Sequence, residues 1–299
     1  MLLDIGHSGQ SASVQAAQKN AAEQEIIRIS YPECRTSPLV FASPHSGRDY
    51  PSSFVGQSAL SLEQLRRSED AYIDELFSAA PAFGAPLVAA CFPRVYLDPN
   101  RGSDELDPHL IQGLSGTGIL SPSPRTEAGL GIIPRLGAEG RSIYKTRLSL
   151  SEARSRVEAF HKPYHEALEA ELAEASEMFG VAILIDAHSM PSNGARGADM
   201  VLGDKHGVSC ASAVTDLVES RFRDHGFQCV RNTPYAGGYS TEHYGRPLLK
   251  RHAIQIEVNR GLYLNETRVT RSGTFVSVQN RISRVIEALA GIDWVGELR

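Results

Sequence analysis

Val181–Ile185 is the segment that most restricts what this chain can fold into. Its five residues are apolar without interruption, which is typical of a central strand covered on both faces. Similar apolar runs occur at residues 38–43 and 85–92, and a further strong strand is predicted at residues 253–258, where Gln255 and Glu257 interrupt the apolar residues. Helical patterns separate these runs, so the order of elements predicts an α/β fold in which helices flank a central, mixed but mostly parallel sheet.

The clearest helix begins after Ser149 and ends at Gly180. Ser149 and Glu152 have the spacing of a capping box, and apolar residues then recur every three or four positions along one face. Pro163 is expected to kink this helix, because proline removes a backbone donor. A last helix is predicted over residues 275–289.

The length of 299 residues suits one large α/β domain, predicted over residues 26–299. Residues 1–25 lack an apolar run and are rich in Ala, Gln and Ser, so they are expected to form a flexible tail and not a secretory signal. The chain has no run approaching the ~20 apolar residues that span a bilayer, and we expect no membrane partner.

Two features of composition exclude other classes. The four cysteines show no C-x-x-C spacing, which argues against a disulfide framework and favours a reducing cytoplasm. The formal net charge is -5, so a nucleic-acid partner is not expected. We therefore expect a small-molecule substrate, and the sequence makes no prediction of oligomeric state.

Three residues that can carry chemistry lie at or just beyond the ends of apolar strands: His45, His188 and Glu257. Open α/β sheets bind ligands beyond the carboxyl ends of their strands, so these distant positions can converge. Asp186 lies two residues before His188, on the same side of the predicted strand, and can orient its imidazole.

A catalytic zinc needs about three protein ligands and an open position. His45 and His188 supply two nitrogens, and Glu69 or Asp70, in a break of the helical pattern over residues 61–80, supplies the oxygen. A further carboxylate must then take the proton of the attacking water, and Glu257 is the natural candidate for this base.

Each of these residues also has an ordinary structural interpretation. Histidines at strand ends often serve as hydrogen-bonded turn residues, and Asp70 at a helix break is typical of a cap. Asn100 and Arg101, after a predicted strand at residues 94–98, have the spacing of a surface salt bridge. His161 and His165, one helical turn apart, are expected on a solvated helix face.

Other catalytic classes lack their motifs. The sequence contains no G-x-S-x-G, no P-loop, no G-x-G-x-x-G and no H-E-x-x-H, which removes the usual support for serine hydrolases, nucleotide-binding folds and zincins.

Seven segments, in order, resemble those of the N-formylglutamate amidohydrolase family, the deformylases of histidine degradation and their relatives. The resemblance runs from about Leu39 to Glu266. The segments are Ser43-Pro-His-Ser-Gly47, Glu69-Asp-Ala-Tyr-Ile-Asp74, Arg94-Val-Tyr-Leu-Asp-Pro-Asn-Arg101, Pro163-Tyr-His165, Asp186-Ala-His-Ser189, Gly237-Gly-Tyr-Ser-Thr-Glu-His-Tyr-Gly245 and Ala253-Ile-Gln-Ile-Glu257.

The resemblance implies a zinc-dependent amide hydrolase with a fold similar to the zinc carboxypeptidases. By position it implies a set of roles: metal ligands His45, Asp70 and His188, with Glu69 a substitute for Asp70, the general base Glu257, the substrate-carboxylate pair Asn100 and Arg101, and the oxyanion or anion-binding group Arg94.

The leading hypothesis is hydrolysis of an N-formyl acidic amino acid, N-formyl-L-glutamate above all, to formate and the free amino acid. A related zinc N-acyl amino acid deacylase or carboxypeptidase-like amidase is the alternative enzyme, and a non-catalytic carboxylate-binding protein is the alternative from another class. A dicarboxylic substrate needs a second cation, for which loop arginines such as Arg135 or Arg141 are candidates.

Overall fold

The computed structural model describes residues 25–114 and 123–298. The tail predicted for residues 1–25 lies outside the described residues except for its last position, and the domain boundary at residue 26 stays a prediction. Within the described ranges, the model has no helix long and apolar enough to cross a membrane. All four cysteines are free, which fits the absence of a disulfide framework.

The described strands are β1 Ile27–Ser30, β2 Leu39–Ser43, β3 Leu87–Ala90, β4 Ile111–Gln112, β5 Leu148–Ser149, β6 Ala182–Met190, β7 Met200–Gly203, β8 Cys229–Arg231, β9 Arg251–Asn259, β10 Leu264–Asn265 and β11 Thr270–Arg271. Seven of them form the central sheet in the order β1-β3-β2-β6-β9-β7-β8. The β1–β3 and β7–β9 pairs are antiparallel and the other pairs are parallel. The predicted mixed, mostly parallel sheet is confirmed.

The described helices are α1 Ser52–Gln57, α2 Leu62–Arg66, α3 Ile73–Leu76, α4 Pro124–Glu127, α5 Leu150–Arg156, α6 Lys162–Phe179, α7 Ser212–Asp224, α8 Tyr239–Tyr244, α9 Phe275–Ala290 and α10 Trp294–Glu297. Helices α5 and α6 are joined by one π-helical turn, Val157–His161. This turn precedes Pro163, where the sequence predicts a kink, and it accommodates the missing backbone donor. Gly180 ends α6 in the left-handed conformation, with φ of 71°.

Helices cover both faces of the sheet, and alternate residues of β6 separate the two layers. Ile183, Ile185 and Ala187 pack in the cluster that includes α7 and α9. Ala182 and Leu184 pack in the cluster that includes α6. Because β6 is central and buried on both faces, Asp186 and His188, the next two even-numbered residues after Leu184, point to the same face of the sheet as Leu184.

The predicted strand at residues 94–98 is wrong. These residues follow β3 as a turn and an extended segment, and Asp98 N donates to Ile132 O at 2.7 Å instead of to a sheet neighbour. Their alternating pattern arises because Val95 and Leu97 are buried in a loop core, which produces the same periodicity as a strand.

Gly47 permits the close approach of the β2 loop to the chain after β3. A Cβ atom at Gly47 would lie 2.0 Å from the carbonyl oxygen of Phe92. No other residue type fits there without moving the backbone, so Gly47 fixes the path of the loop that carries His45.

Helix α9 offers a test of the packing. Replacing the fully buried Ile282 by Ala is expected to lower the free energy of unfolding by about 2–5 kcal/mol, because it removes methyl groups from a close-packed layer. Val276 on the same helix is 63% exposed, and its replacement by Ala is expected to change stability by less than about 0.5 kcal/mol. Urea denaturation measures both; equal losses would contradict this orientation of α9.

Candidate active site

Three side chains meet at the carboxyl end of the central strands. His45 lies two residues beyond β2, His188 lies in β6, and Asp70 lies in the loop between α2 and α3. His45 Nδ1 is 3.1 Å from His188 Nδ1, and Asp70 Oδ2 is 3.2 Å from the first and 3.1 Å from the second. All three residues are buried, and together they could hold a metal ion.

The outer nitrogens of both imidazoles face carboxylates. His45 Nε2 is 2.7 Å from Asp98 Oδ1, and His188 Nε2 is 2.9 Å from Asp186 Oδ2. A proton on each Nε2, directed at its carboxylate, would leave the lone pair of Nδ1 available to a cation in place of the hydrogen bond to Asp70. Asp186 thus lies at ion-pair distance from His188, and its orienting role stays a prediction, whereas Asp98 makes a hydrogen bond to His45.

The donor set fits a zinc ion. A tetrahedral ion with ligand bonds of about 2.0–2.1 Å places its ligand atoms about 3.3 Å apart, close to the 3.1–3.2 Å separations of this triangle. Two imidazole nitrogens and one carboxylate oxygen are also the ligand types zinc prefers.

Asp70 is held by its other oxygen. Its Oδ1 accepts hydrogen bonds from Arg260 Nη2 at 2.8 Å and Ser189 Oγ at 3.2 Å, which leaves Oδ2 directed at the histidines. Its backbone N donates to His45 O at 3.0 Å, which ties the two loops together. Burial opposes ionisation of Asp70, but hydrogen bonds from His188 and His45 outweigh it and hold its pKa well below the usual value.

Glu69, the alternative oxygen ligand, lies elsewhere. Its Oε1 accepts a hydrogen bond from Tyr50 at 2.9 Å, and Arg66 binds both of its oxygens at 3.1 and 3.3 Å. It does not line the cavity that contains His45, Asp70 and His188. Of the two adjacent acids, the geometry brings only Asp70 to the histidines.

The surroundings of His188 favour positive charge. Burial lowers the pKa of its imidazole, but Asp186, Asp70 and Glu257 outweigh burial and raise that pKa well above its ordinary value. The point where the three donor atoms meet is therefore electrostatically suited to a cation.

Glu257 lies beside His188 on the neighbouring strand. The two residues are direct partners in the parallel register of β6 and β9, so both side chains emerge on the same face. Gln255 Nε2 donates to Glu257 Oε1 at 2.7 Å. Burial raises the pKa of Glu257 to about 7, which suits a carboxylate that exchanges protons near neutrality.

Half-buried Arg94 and buried Asp98 form an ion pair next to the histidines. Arg94 Nη2 donates to Asp98 Oδ2 at 2.8 Å, and its Nη1 is 3.8 Å from Asp70 Oδ1. Burial opposes ionisation of Asp98, but His45, Arg101 and Arg94 outweigh it and hold its pKa well below the usual value. This ion pair holds the positively charged guanidinium of Arg94 at the wall of the cavity.

Asn100 and Arg101 also line the cavity, so the surface salt bridge weighed from their spacing is wrong. Asn100 Oδ1 accepts from Ser240 N at 2.8 Å, and its Nδ2 is 3.3 Å from His188 Nε2. Arg101 donates to Leu130 O at 2.8 Å and to Asn100 O at 2.7 Å. Both side chains are fixed in place by the backbone around them.

The expectation of a solvated face for His161 and His165 is wrong. His161 Nε2 donates to Arg101 O at 2.9 Å, and His165 Nε2 donates to Pro99 O at 2.8 Å. Burial lowers the pKa of both rings, to about 3 for His165, so they are neutral. This pair holds the carbonyls on either side of Asn100.

The candidate residues share one cavity of about 450 Å³, within the usual range for small-molecule sites. Five arginines contribute to its wall: Arg67, Arg94, Arg101, Arg125 and Arg260. Arg135 and Arg141, suggested from the sequence, do not line it; Arg135 instead binds Asp107 at 2.8 Å.

Comparison with known proteins identifies the family. The model of the N-formylglutamate amidohydrolase family matches residues 37–264. The chain belongs to this family. N-formylglutamate deformylases of Pseudomonas putida and Pseudomonas aeruginosa are each 32% identical, over 77% of this chain and 83% of theirs.

Solved structures agree. The N-formylglutamate amidohydrolase of Ralstonia eutropha JMP134 is 36% identical, with a TM-score of 0.84 over 89% of this chain and 97% of its own. A protein of Agrobacterium tumefaciens, 16% identical with a TM-score of 0.66 over 90% of this chain and 96% of its own, shares the fold. This member of the N-formylglutamate amidohydrolase family is an amidohydrolase.

The sequence predicts no role for Asp98, Gln255 or Arg260. In the structure they contact His45, Glu257 and Asp70, respectively. Asp98 and Gln255 lie inside segments that carry the family resemblance, and their position in these segments could have indicated a place in the site. Arg260 follows the end of β9, and its contact with Asp70 spans 190 positions of sequence. Local pattern has no signal for such a contact.

The triangle predicts metal binding. Replacing His45 or His188 by Ala is expected to lower zinc content well below one ion per chain, because each change removes one of three protein ligands. Elemental analysis after dialysis against zinc and then buffer measures it. The exposed His206, outside the cavity, is the control, and its Ala variant should keep its zinc; full occupancy in both ligand variants would exclude this site.

Proposed function

We propose that this amidohydrolase cleaves the amide bond of an N-formyl acidic amino acid, converting N-formyl-L-glutamate and water to formate and L-glutamate. The observation that carries the proposal is the junction, in one cavity, of a three-ligand cation site, a buried carboxylate beside it and several guanidinium groups. The names of the similar Pseudomonas and Ralstonia proteins support the same substrate.

His45, Asp70 and His188 would hold the metal, and zinc fits their two nitrogens and one oxygen best. When bound, the ion supplies Lewis-acid polarisation of the acyl oxygen and lowers the pKa of water. The protein's own contribution is to keep these donors in place, through Asp98 behind one ring and Asp186 behind the other.

Glu257 acts as the base. It takes a proton from the attacking water while the water oxygen bonds to the formyl carbon, and it returns that proton to the amide nitrogen as the C–N bond breaks. Its raised pKa of about 7 matches both halves of this exchange. Gln255, bonded to Oε1, leaves Oε2 for the transfer.

Arg94 stabilises the negative charge that develops on the acyl oxygen. Its half-buried guanidinium is held by Asp98 at 2.8 Å, so it needs little reorganisation during the reaction. Asn100 and Arg101 receive the α-carboxylate, since a guanidinium fork matches a carboxylate in two hydrogen bonds. His161 and His165 support these two residues through the backbone.

A formate-release assay with metal analysis tests the proposal. The zinc-loaded protein is expected to release formate and glutamate in equal amounts from N-formyl-L-glutamate and to stop after chelation. Faster release from N-acetyl amino acids or peptides would favour the alternative deacylase or amidase, and stoichiometric binding without turnover would favour a carboxylate-binding protein. Histidine degradation and a cytoplasmic location stay predictions.

Replacing Glu257 by Gln is expected to lower kcat by about 10²–10⁴-fold, because the shape is kept and the basicity is lost. Zinc content should be retained, since Glu257 is not among the three ligands. Glu69→Gln is the matched control: it removes another buried carboxylate, outside the cavity, and should keep turnover. Near-normal turnover of the Glu257 variant would transfer the base role to another group.

Arg101→Lys is expected to lower kcat/KM on N-formyl-L-glutamate by about tenfold or more, because a point charge does not reproduce the guanidinium fork. Zinc content should be as in the parent, since Arg101 contacts carbonyl oxygens and not the ligands. Steady-state kinetics of parent and variant give the comparison. An unaffected KM and kcat would mean that the α-carboxylate binds elsewhere.

A further inference from the structure

The five cavity arginines differ in how far their charge is already compensated. Arg94 binds Asp98 at 2.8 Å, and Arg260 binds Asp70 at 2.8 Å. Arg67, near the rim, binds Glu139 at 2.6 Å and Glu63 at 3.5 Å. Each of these three guanidiniums therefore has a carboxylate partner within the protein, and none offers an uncompensated charge.

Arg101 and Arg125 are the exceptions. Arg101 has only the long 3.8 Å approach to Asp98, and the role proposed above uses it for the α-carboxylate. Among residues 25–114 and 123–298, Arg125 has no carboxylate within the 4.0 Å of an ion pair. Its hydrogen bond is a long one, 3.4 Å to Gly237 O.

The carboxylates near Arg125 are engaged elsewhere. Glu242 is bonded to Lys205 Nζ at 2.8 Å, and this ammonium, with a smaller contribution from Arg125, holds the pKa of Glu242 below its usual value. Glu105 accepts hydrogen bonds from Ser123 and Gly102. Among the described residues, Arg125 therefore lines the cavity with no carboxylate at ion-pair distance.

The backbone segments that carry Arg125 and Arg101 are linked. It lies in α4, which begins with a capping box between Ser123 and Thr126. Glu105 joins the two arginine-bearing segments: its Oε2 accepts from Ser123 Oγ at 2.9 Å, and its Oε1 accepts from Gly102 N at 2.8 Å. The bridge ties the start of α4 to the turn at Gly102, and both arginines line the same cavity.

We infer that Arg125 is the specificity-determining residue that binds the side-chain carboxylate of the substrate. The inference rests on the proposed function, which supplies a substrate with two carboxylates. Arg101 binds the α-carboxylate. The side-chain carboxylate then meets Arg125, the remaining guanidinium of the described cavity wall that has no carboxylate partner. Arg125 thus selects dicarboxylic N-formyl amino acids over neutral ones of the same shape.

The test compares N-formyl-L-glutamate with N-formyl-L-glutamine, which differ in charge and hardly in shape. For Arg125→Met, the loss in kcat/KM on the glutamate compound should exceed the loss on the glutamine compound by about 10- to 100-fold, the usual worth of a hydrogen-bonded charge. Arg125→Lys should recover part of the preference. Zinc content and circular dichroism confirm that each variant is folded and loaded.

Arg141→Met is the matched control, because Arg141 is an exposed arginine that does not line the cavity. It should keep the parent's ratio between the two substrates. If the parent prefers N-formyl-L-glutamate and the Arg125→Met variant has the same preference, the role of Arg125 is overturned. The proposed function is not affected by that result. A parent that hydrolyses neither compound would overturn both.

Discussion

Compensation of buried charge is the constraint on which the rest of this site depends. The carboxylates of Asp70, Asp98 and Glu257 are buried together at the carboxyl edge of the sheet, and an uncompensated ion there would cost several kcal/mol. Arg260 compensates the first, and Arg94 approaches the first two and bonds to the second. The His45 ring contacts Asp70 and Asp98, and the His188 ring contacts Asp70. Glu257 is bonded to the amide of Gln255. Each buried charge needs a partner within hydrogen-bond distance. The charged residues therefore constrain the paths of segments that lie far apart in the sequence.

The layout of the sheet explains why much of this arrangement can be predicted from sequence. A buried parallel strand is a continuous apolar run, so a charged residue within or just after such a run is conspicuous, and parallel topology sends all such residues to one edge. His188 and Glu257 follow this rule directly, since they are register partners. His45 follows it because β2 is hydrogen-bonded to β6. The long helix at residues 150–179 is similarly evident from its period, and the structure adds only the π turn.

Other parts of the site have no local signal. Glu69 and Asp70 are adjacent acids in one break between helices, and only the turn of the backbone decides which one reaches the histidines. The buried loop at residues 94–98 alternates as a strand does. His161 and His165 have the spacing of a surface pair, but the loop that includes Pro99 folds over them. In each case a tertiary contact decides the outcome, and periodicity reports burial without reporting which segment provides it.

The arrangement around Asp70 bears on which cations the protein can accept. Arg260 and Ser189 hold one oxygen of this carboxylate, so its torsional freedom is lost when the chain folds, at the usual entropic cost of an ordered side chain. A cation would then enter a triangle that is already rigid. Rigid donors about 3.1–3.2 Å apart suit ions with short bonds to nitrogen, and they disfavour calcium, which takes six to eight oxygen ligands at about 2.3–2.6 Å. Discrimination between metals therefore follows from ionic radius and ligand hardness, with no change of shape required.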